Sequence, residues 1–162
     1  MKFIVPQQDA WHTVAAEDGP IVTLTPRGHS LLTLLQWQGV RSHWPADLAV
    51  GVIVPNDAEL NELSPDLLRF RLVVLEFPKW TDGRAYSQAR LLRTRYRFAG
   101  EMRATGEVLV DMLPLLARTG FDAVQLRADQ SREAAERALE FFSGHYQGDV
   151  VDNRPHFAKV AR

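Results

Sequence analysis

The hydrophobic positions between residues 46 and 147 alternate between short apolar runs and segments with helical spacing. The strongest apolar run is Leu72–Phe77, a further run lies at Leu48–Val54, a weaker strand-like segment lies at Glu101–Thr105, and a fourth lies at Ala123–Arg127. Short apolar runs bounded by proline, glycine or polar residues are typical of buried strands. The pattern therefore predicts strands at these places.

Segments with an amphipathic helical pattern separate and follow these runs. Apolar residues recur three or four positions apart over Arg84–Tyr96, Glu107–Thr119 and Ser131–Tyr146, and this spacing predicts a helix in each. Gly120 is a natural C-cap for the second helix. Pro114 predicts a kink within that helix, or its division into two short helices.

Strands that alternate with helices indicate βαβ units, because parallel neighbouring strands need a crossover connection. We therefore predict an α/β fold built from parallel βαβ units, with a small β-containing N-terminal region. Strands in sequential order would curl the sheet like part of a (β/α) barrel and leave its edges open, so the N-terminal strands or a second subunit must cover them. An open sheet remains the alternative to a partial barrel.

The N-terminal region has β-like pieces at Lys2–Val5 and Ile21–Thr25, separated by turn residues. Ser30 is predicted to cap a short helix that carries apolar residues and ends at Gly39. The tail from Gly148 onward is polar and predicted to be peripheral.

A chain of 162 residues fits one domain. We predict a single domain over residues 1–162, with an N-terminal β and turn region over 1–44. A parallel α/β core follows over 46–147, and a peripheral tail over 148–162 completes it.

Composition limits the classes of function. The formal net charge is −1, so no global field attracts nucleic acid or an anionic membrane. The N-terminal apolar stretch is too short for a signal peptide, and no apolar run is long enough to cross a bilayer. We therefore expect a soluble, cytoplasmic protein that binds neither nucleic acid nor membrane.

Sequence motifs identify no cofactor and no metal site. The chain has no cysteine, so it offers no thiol nucleophile and no cysteine ligand for zinc or an iron–sulfur cluster. Its histidines are scattered, without the HExxH spacing of a shared metal-binding face. The patterns GxSxG, GxGxxG and GxxxxGK[ST] are absent as well.

The loops that follow the predicted strands form the candidate binding site. Ligands of parallel α/β folds bind beyond the carboxyl ends of the strands, where helix N-termini also favour anions. Arginine forks suit oxyanions, so we predict a site for a small anion or a phosphorylated ligand. Its candidate residues are Lys79, Trp80, Asp82, Gly83, Arg84, Arg103, Gly106 and Arg127.

A purely structural interpretation explains the same residues. Asp82 would cap the helix that follows, Gly83 would permit a tight turn, and Arg103 would pair with Glu76 or Asp82. Basic and acidic residues that alternate in loops commonly form ordinary ion pairs.

Three segments carry a resemblance to a known family. Leu75–Arg93 contains the pattern E-F-P-x-W-x-D-G-R-x-Y-S-x-A-R-x-L, and Gly100–Leu109 and Arg118–Ala123 extend it. Together they resemble a bacterial family of unknown function whose members carry the label of an oxidoreductase involved in sulfite reduction. The similar stretch covers roughly Leu72 to Leu126.

The resemblance implies a context of sulfur assimilation. Known sulfite reductases use a sirohaem coupled to an iron–sulfur cluster with cysteine ligands, and this cysteine-free chain cannot supply those ligands. The resemblance therefore implies an accessory protein that binds sulfite or a phosphorylated nucleotide, or that docks on sulfite reductase or another sulfur-assimilation enzyme. A redox protein that uses a cofactor through an unrecognised site would also fit.

Two alternatives remain. One is a small enzyme that acts on an anionic or phosphorylated substrate, with Glu76 or Asp82 as general base. The other is a structural module that forms a homodimer. The sequence leaves open whether the protein is an enzyme.

Overall fold

The protein is described by a computed structural model that covers residues 1–14, 24–142 and 144–159. Within these ranges, seven strands form one sheet in which every neighbouring pair is parallel. The strands are β1 (Lys2–Phe3), β2 (His12–Thr13), β3 (Ser30–Thr33), β4 (Val50–Val54), β5 (Phe70–Phe77), β6 (Glu101–Gly106) and β7 (Ala123–Val124).

Helices connect and flank these strands. None of those in the described ranges has the length and apolar character needed to span a bilayer. The α-helices are α1 (Leu34–Val40), α2 (Leu60–Leu63), α3 (Arg84–Thr94), α4 (Leu113–Thr119), α5 (Arg132–Glu140) and α6 (His156–Lys159), and short 3₁₀ turns lie at Pro6–Gln8, Ser64–Arg69 and Val110–Met112.

The strand order confirms the predicted parallel α/β fold. The order is β1-β7-β6-β5-β4-β3-β2, so the strands from β2 to β7 follow one another in sequence and the sheet curls as half a barrel. The first two strands occupy the two outer positions. The N-terminal region thus covers both edges of the core, which is one of the two expected solutions to the open-edge problem.

The two faces of the sheet differ in what they bury. Val73, Leu75 and Phe77 of β5 are at most marginally exposed and belong to the main core, which the helices complete. Leu72 and Val74 point to the opposite, inner face and pack in a smaller cluster with Leu31. Burying each large apolar side chain contributes about 1.5–3 kcal/mol, so the helix-packed face supplies most of the stability.

The inner face also buries a charged network near the amino ends of the strands. The guanidinium of Arg103 forms ion pairs with Asp9 and with Glu101, and Glu101 also pairs with Lys2 at 2.8 Å. The Arg103 side chain is only 4% exposed. Because Asp9 lies between β1 and β2, this network fastens the N-terminal connection to β6.

The prediction that Ser30 caps a helix is wrong. Ser30 begins β3 instead, and its hydroxyl donates to the carbonyl of Arg27 at 2.8 Å. The cap of α1 is Thr33, whose Oγ1 accepts from the Gln36 amide while the Gln36 side chain accepts from the Thr33 amide. Of the predicted strand Ile21–Thr25, residues 21–23 lie outside the described residues, and the remaining two are not in a strand.

Other predicted elements are present with shorter bounds. The predicted helix at Glu107–Thr119 is a 3₁₀ turn followed by α4, because Pro114 occupies the first turn of α4, where its missing amide costs nothing. Gly120 ends α4 with a φ of 102°, as the C-cap prediction required. The predicted helix that starts at Ser131 ends at Glu140. The predicted strand at Ala123–Arg127 has only two paired residues.

Candidate functional site

The carboxyl ends of β4, β5 and β6 enclose a cavity of about 210 Å³. The pairing of β5 with β6 places Glu76 beside Thr105 and Phe77 beside Gly106. We call this space the carboxyl-end cavity, and it is lined by Pro55, Asn56, Glu76, Phe77, Pro78 and Gly106.

Gly106 forms the tight wall of this cavity. Its φ is +93°, and a Cβ at this position would collide with the carbonyl oxygen of Phe77. The same oxygen accepts a hydrogen bond from the Glu107 amide at 2.8 Å. Only glycine fits this backbone without strain, so the wall is fixed by covalent geometry rather than by a side chain.

Glu76 is the acidic group of the carboxyl-end cavity. Its side chain makes no ion pair or hydrogen bond with any residue in the described ranges. Glu76 is exposed as a residue, but the partial desolvation of its carboxyl raises its pKa, because desolvation disfavours the charged form. A carboxyl group in this state can exchange a proton closer to neutral pH than an ordinary glutamate does.

Asn56 contributes an amide to the same cavity. The residue is 8% exposed, and its Nδ2 makes no hydrogen bond of ordinary geometry in the described structure, but its side chain lies near enough to Asp82 to help lower the pKa of that carboxyl. The loop that carries it is held by Gln88 of α3, whose Nε2 donates to the carbonyls of Pro55 and Ala58 at 3.0 and 3.2 Å. An unsatisfied buried donor costs about 1–3 kcal/mol, which a ligand acceptor would recover.

The loop after β5 carries most of the residues predicted from the sequence. Lys79 and Trp80 are exposed, Trp80 to 57%, and Lys79 forms no ion pair in the described ranges. Asp82 accepts a two-point contact from the Arg84 guanidinium, with the shortest distance at 2.6 Å, and also accepts from the Arg84 amide. Arg84 holds the pKa of Asp82 well below its usual range. Gly83, and not Asp82, is the N-cap of α3.

Arg127 lies in the segment after β7 and is paired in the same way. Its guanidinium contacts Glu107 and Asp129, both at 2.7 Å. The hydrogen bonds to Asp129 and Glu107 raise the pKa of Arg127, and the hydrogen bond from Arg127 lowers the pKa of Asp129 to about 2. Both arginines at the carboxyl end of the sheet therefore already have carboxylate partners.

Arg103 does not join these residues. It occupies the middle of β6 on the inner face, and its ion pairs with Asp9 and Glu101 draw the guanidinium towards the amino end. It contacts neither Glu76 nor Asp82, the two partners expected from the structural interpretation of the sequence. The structure thus brings the Lys79–Arg84 loop, Gly106 and Arg127 to one end of the sheet, and Arg103 to another part.

Sequence reasoning missed Asn56 as a site residue. The Pro-Asn-Asp sequence after β4 was read only as a signal that the strand ends. Because it follows the carboxyl end of a parallel strand, it also marked a place where a ligand could bind.

Among residues 1–14, 24–142 and 144–159, no three His, Asp or Glu side chains are grouped as metal ligands.

Comparison with known proteins gives a family and no characterised relative. No curated protein matches the chain. A sequence model of a bacterial protein family of unknown function, DUF934, matches residues 51–157. The match includes every residue that lines the carboxyl-end cavity. The chain therefore belongs to this bacterial family of unknown function.

Proposed function

We propose that this protein is a ligand-binding accessory protein of bacterial sulfite reduction, which acts beside sulfite reductase or another sulfur-assimilation enzyme and is not the reductase. One observation supports this proposal. Two of the segments that carry the resemblance lie side by side at the carboxyl-end cavity, namely Leu75–Arg93 and Gly100–Leu109. Ligands of parallel α/β proteins bind at this end of the sheet.

The groups at the cavity suggest the ligand class. At its lining, the Glu76 carboxyl can accept a hydrogen bond from a ligand, and the Asn56 amide, which lies near Asp82, can donate one. The following loop carries the cations Lys79 and Arg84, although Arg84 is shared with Asp82. A phosphorylated nucleotide suits this arrangement, because its base has donors and acceptors and its phosphate is an anion.

The accessory role rests on two further features. The chain has no cysteine with which to hold an iron–sulfur cluster. Trp80 is 57% exposed in the loop beside the cavity, and exposed tryptophans are frequent anchors of protein interfaces. A partner enzyme that contacts Trp80 would sense whether the cavity is occupied.

Thermal unfolding in the presence of ligands tests the binding site. The screen covers sulfite, adenosine phosphosulfates, flavins and nicotinamide nucleotides. A ligand at about one hundred times its Kd adds about 2.7 kcal/mol of stability. We expect a nucleotide to raise the Tm, and Glu76→Gln to reduce that rise. Glu140→Gln, an exposed change on α5, is the matched control. A rise that Glu76→Gln leaves intact would contradict the proposed site.

Co-elution with purified sulfite reductase tests the partner. We expect a complex that Trp80→Ala weakens at least about tenfold, since truncating an interface tryptophan commonly costs 2 kcal/mol or more. Leu68→Ala is the control, because Leu68 is 98% exposed at the other end of the sheet. Absence of a complex with sulfite reductase and with the other sulfur-assimilation enzymes would contradict the accessory role.

A second candidate is a small enzyme with Glu76 as general base. The raised pKa of Glu76 favours it over Asp82, whose pKa Arg84 lowers. Turnover of a phosphorylated substrate should then be lost in Glu76→Gln and retained in Asp82→Asn. Equal loss in both variants would exclude this assignment.

A homodimer stays a prediction that light scattering can test.

A further inference from the structure

A second cavity, of about 280 Å³, lies at the amino ends of β4 and β5. It is separate from the carboxyl-end cavity, with which it shares no lining residue. We call it the amino-end pocket, and it is lined by Trp44, Pro45, Ala46, Asp47, Leu48, Ala49, Val50, Leu68, Arg69 and Arg71.

Arg71 enters this pocket because of a bulge in β5. Val50 of β4 pairs with Phe70, whereas the next residue, Gly51, pairs with Leu72. Arg71 is therefore the extra residue of the bulge, and bulges redirect side chains away from the regular alternation. Its side chain is exposed, and within the described ranges it forms no ion pair or hydrogen bond.

Arg69 supplies a second guanidinium, held in place by neutral groups. Its Nη1 and Nη2 donate to the carbonyls of Arg41 and Trp44, both at 2.6 Å, and the group stacks over the Trp37 ring at 4.8 Å. No carboxylate in the described ranges pairs with it. Its position is thus fixed while its charge is not neutralised.

Trp44 adds an unused donor. The residue is 4% exposed, and its indole Nε1 has no hydrogen-bond partner in the described structure. The acidic residue of the lining is Asp47, which is exposed and forms no ion pair in the same ranges. The lining therefore combines two guanidiniums that lack a carboxylate partner, and a buried tryptophan whose N–H lacks an acceptor, with one carboxylate.

We propose that the amino-end pocket binds a small free oxyanion of the sulfate and phosphate class. Arg71 presents the fork-shaped donors that match the oxygens of a tetrahedral anion. Arg69, whose Nη atoms donate to carbonyls, adds a fixed positive charge beside it. The N–H of Trp44 gains the acceptor that it lacks, through a small shift of its ring. This site does not depend on the function proposed for the carboxyl end.

Isothermal titration with sodium sulfate, and separately with inorganic phosphate, tests the proposal at constant ionic strength. Arg71→Gln should weaken binding at least about tenfold, because a hydrogen bond to a charged group contributes about 1.5–3 kcal/mol. Asp47→Asn should strengthen binding, because it removes the opposing charge. Arg90→Gln, at an exposed position of α3, should leave the affinity unchanged.

Each outcome decides the assignment. Opposite effects of Arg71→Gln and Asp47→Asn support it, and so does a several-fold loss in Trp44→Phe, which keeps the aromatic packing and removes the N–H. No measurable binding by the wild-type protein overturns it. Binding that Arg71→Gln leaves intact, or that Arg84→Gln abolishes instead, also overturns it. The Arg71 variant should fold, since the side chain is exposed and makes no contact that the fold needs, and circular dichroism checks this.

Discussion

The two ends of the sheet both carry arginines, but among the described residues they differ in whether those arginines pair with carboxylates. At the carboxyl end, Arg84 and Arg127 each pair with carboxylates, and the unpaired charge in the cavity is the acid Glu76. At the amino end, Arg69 and Arg71 line a pocket without a carboxylate partner in the described ranges. On the proposal made above, pairing with carboxylates, and not the number of arginines, determines where an anion binds.

Local sequence explains the difference. Arg84 follows Asp82 by two residues and Arg127 precedes Asp129 by two, so each loop supplies its own partner. Asp66 lies three residues before Arg69 but is already used, because it accepts from Trp37 Nε1 at 2.9 Å and from Arg41 at 3.2 Å. Arg69 is left with carbonyl acceptors only.

The largest effect is expected for the buried arginine that belongs to neither end. Arg103→Ala leaves Asp9 and Glu101 without their shared cation on the inner face. Breaking a buried pair by removing one partner costs about 3–5 kcal/mol. Urea unfolding should show this loss, while Arg90→Ala, on the exposed surface, should stay within about 0.5 kcal/mol of the wild type. Equal stability of the two variants would mean that the network does not fasten the N-terminal region.

The next effect concerns the wall of the carboxyl-end cavity. Gly106→Ala places a Cβ against the Phe77 carbonyl at a φ of +93° and should cost about 2 kcal/mol or more. Gly83→Ala is the matched control at the same end, because its Cβ would lie 3.7 Å from Tyr86 at an ordinary φ of −83°. Thermal unfolding of both variants measures the difference. Similar Tm values would show that the wall can relax.

The pH dependence of stability tests the state of Glu76. Its pKa is raised in the folded protein, so its contribution is most favourable below the unfolded value of about 4.3 and is lost as the pH rises through the folded pKa. The Tm of the wild type should therefore fall relative to that of Glu76→Gln as the pH rises above the unfolded value. Glu140→Gln should show no such trend. A Tm difference between wild type and Glu76→Gln that stays constant with pH would contradict the raised pKa.

The smallest change in stability is expected for Asp82→Asn, because Asp82 and Arg84 form an exposed pair. Its effect on binding is more informative. The substitution frees Arg84, so sulfate should gain a measurable second site at the carboxyl end. Two-site titration curves for this variant would sharpen the comparison, and an unchanged single-site curve would show that pairing alone does not control anion access.

The central strands of the sheet could be predicted from the sequence, whereas the edge strands could not. Strands β4 and β5 were predictable because apolar runs ended by turn residues leave few alternatives. Strand β6 has a weaker pattern and was predictable from its position between two helical segments. The pairing of β1 with β7 involves only two residues on each strand, so it leaves no periodic pattern. Ser30 was misassigned because a short strand beside a helix resembles a helix start, although Thr33-Leu34-Leu35-Gln36 contained the true capping signal.

The predictable part of the candidate site consists of residues that directly follow a strand in the sequence. The loop from Lys79 to Arg84 and the turn at Gly106 follow strands directly, so topology alone places them at the carboxyl end. The partner of Arg103 is Asp9, 94 residues away, and no local pattern reveals it. The amino-end pocket depends on the bulge that redirects Arg71, and a bulge that shifts the register by one residue leaves no signal in the sequence.

The most direct test of the difference between the two ends is a titration of the isotopically labelled protein with sodium sulfate, followed by amide ¹H–¹⁵N NMR. Saturating shifts are expected at residues 44–50 and 68–71, with little change at residues 76–84 and 105–107. Shifts concentrated at residues 76–84 would place the anion at the carboxyl end and exclude the amino-end pocket as its site.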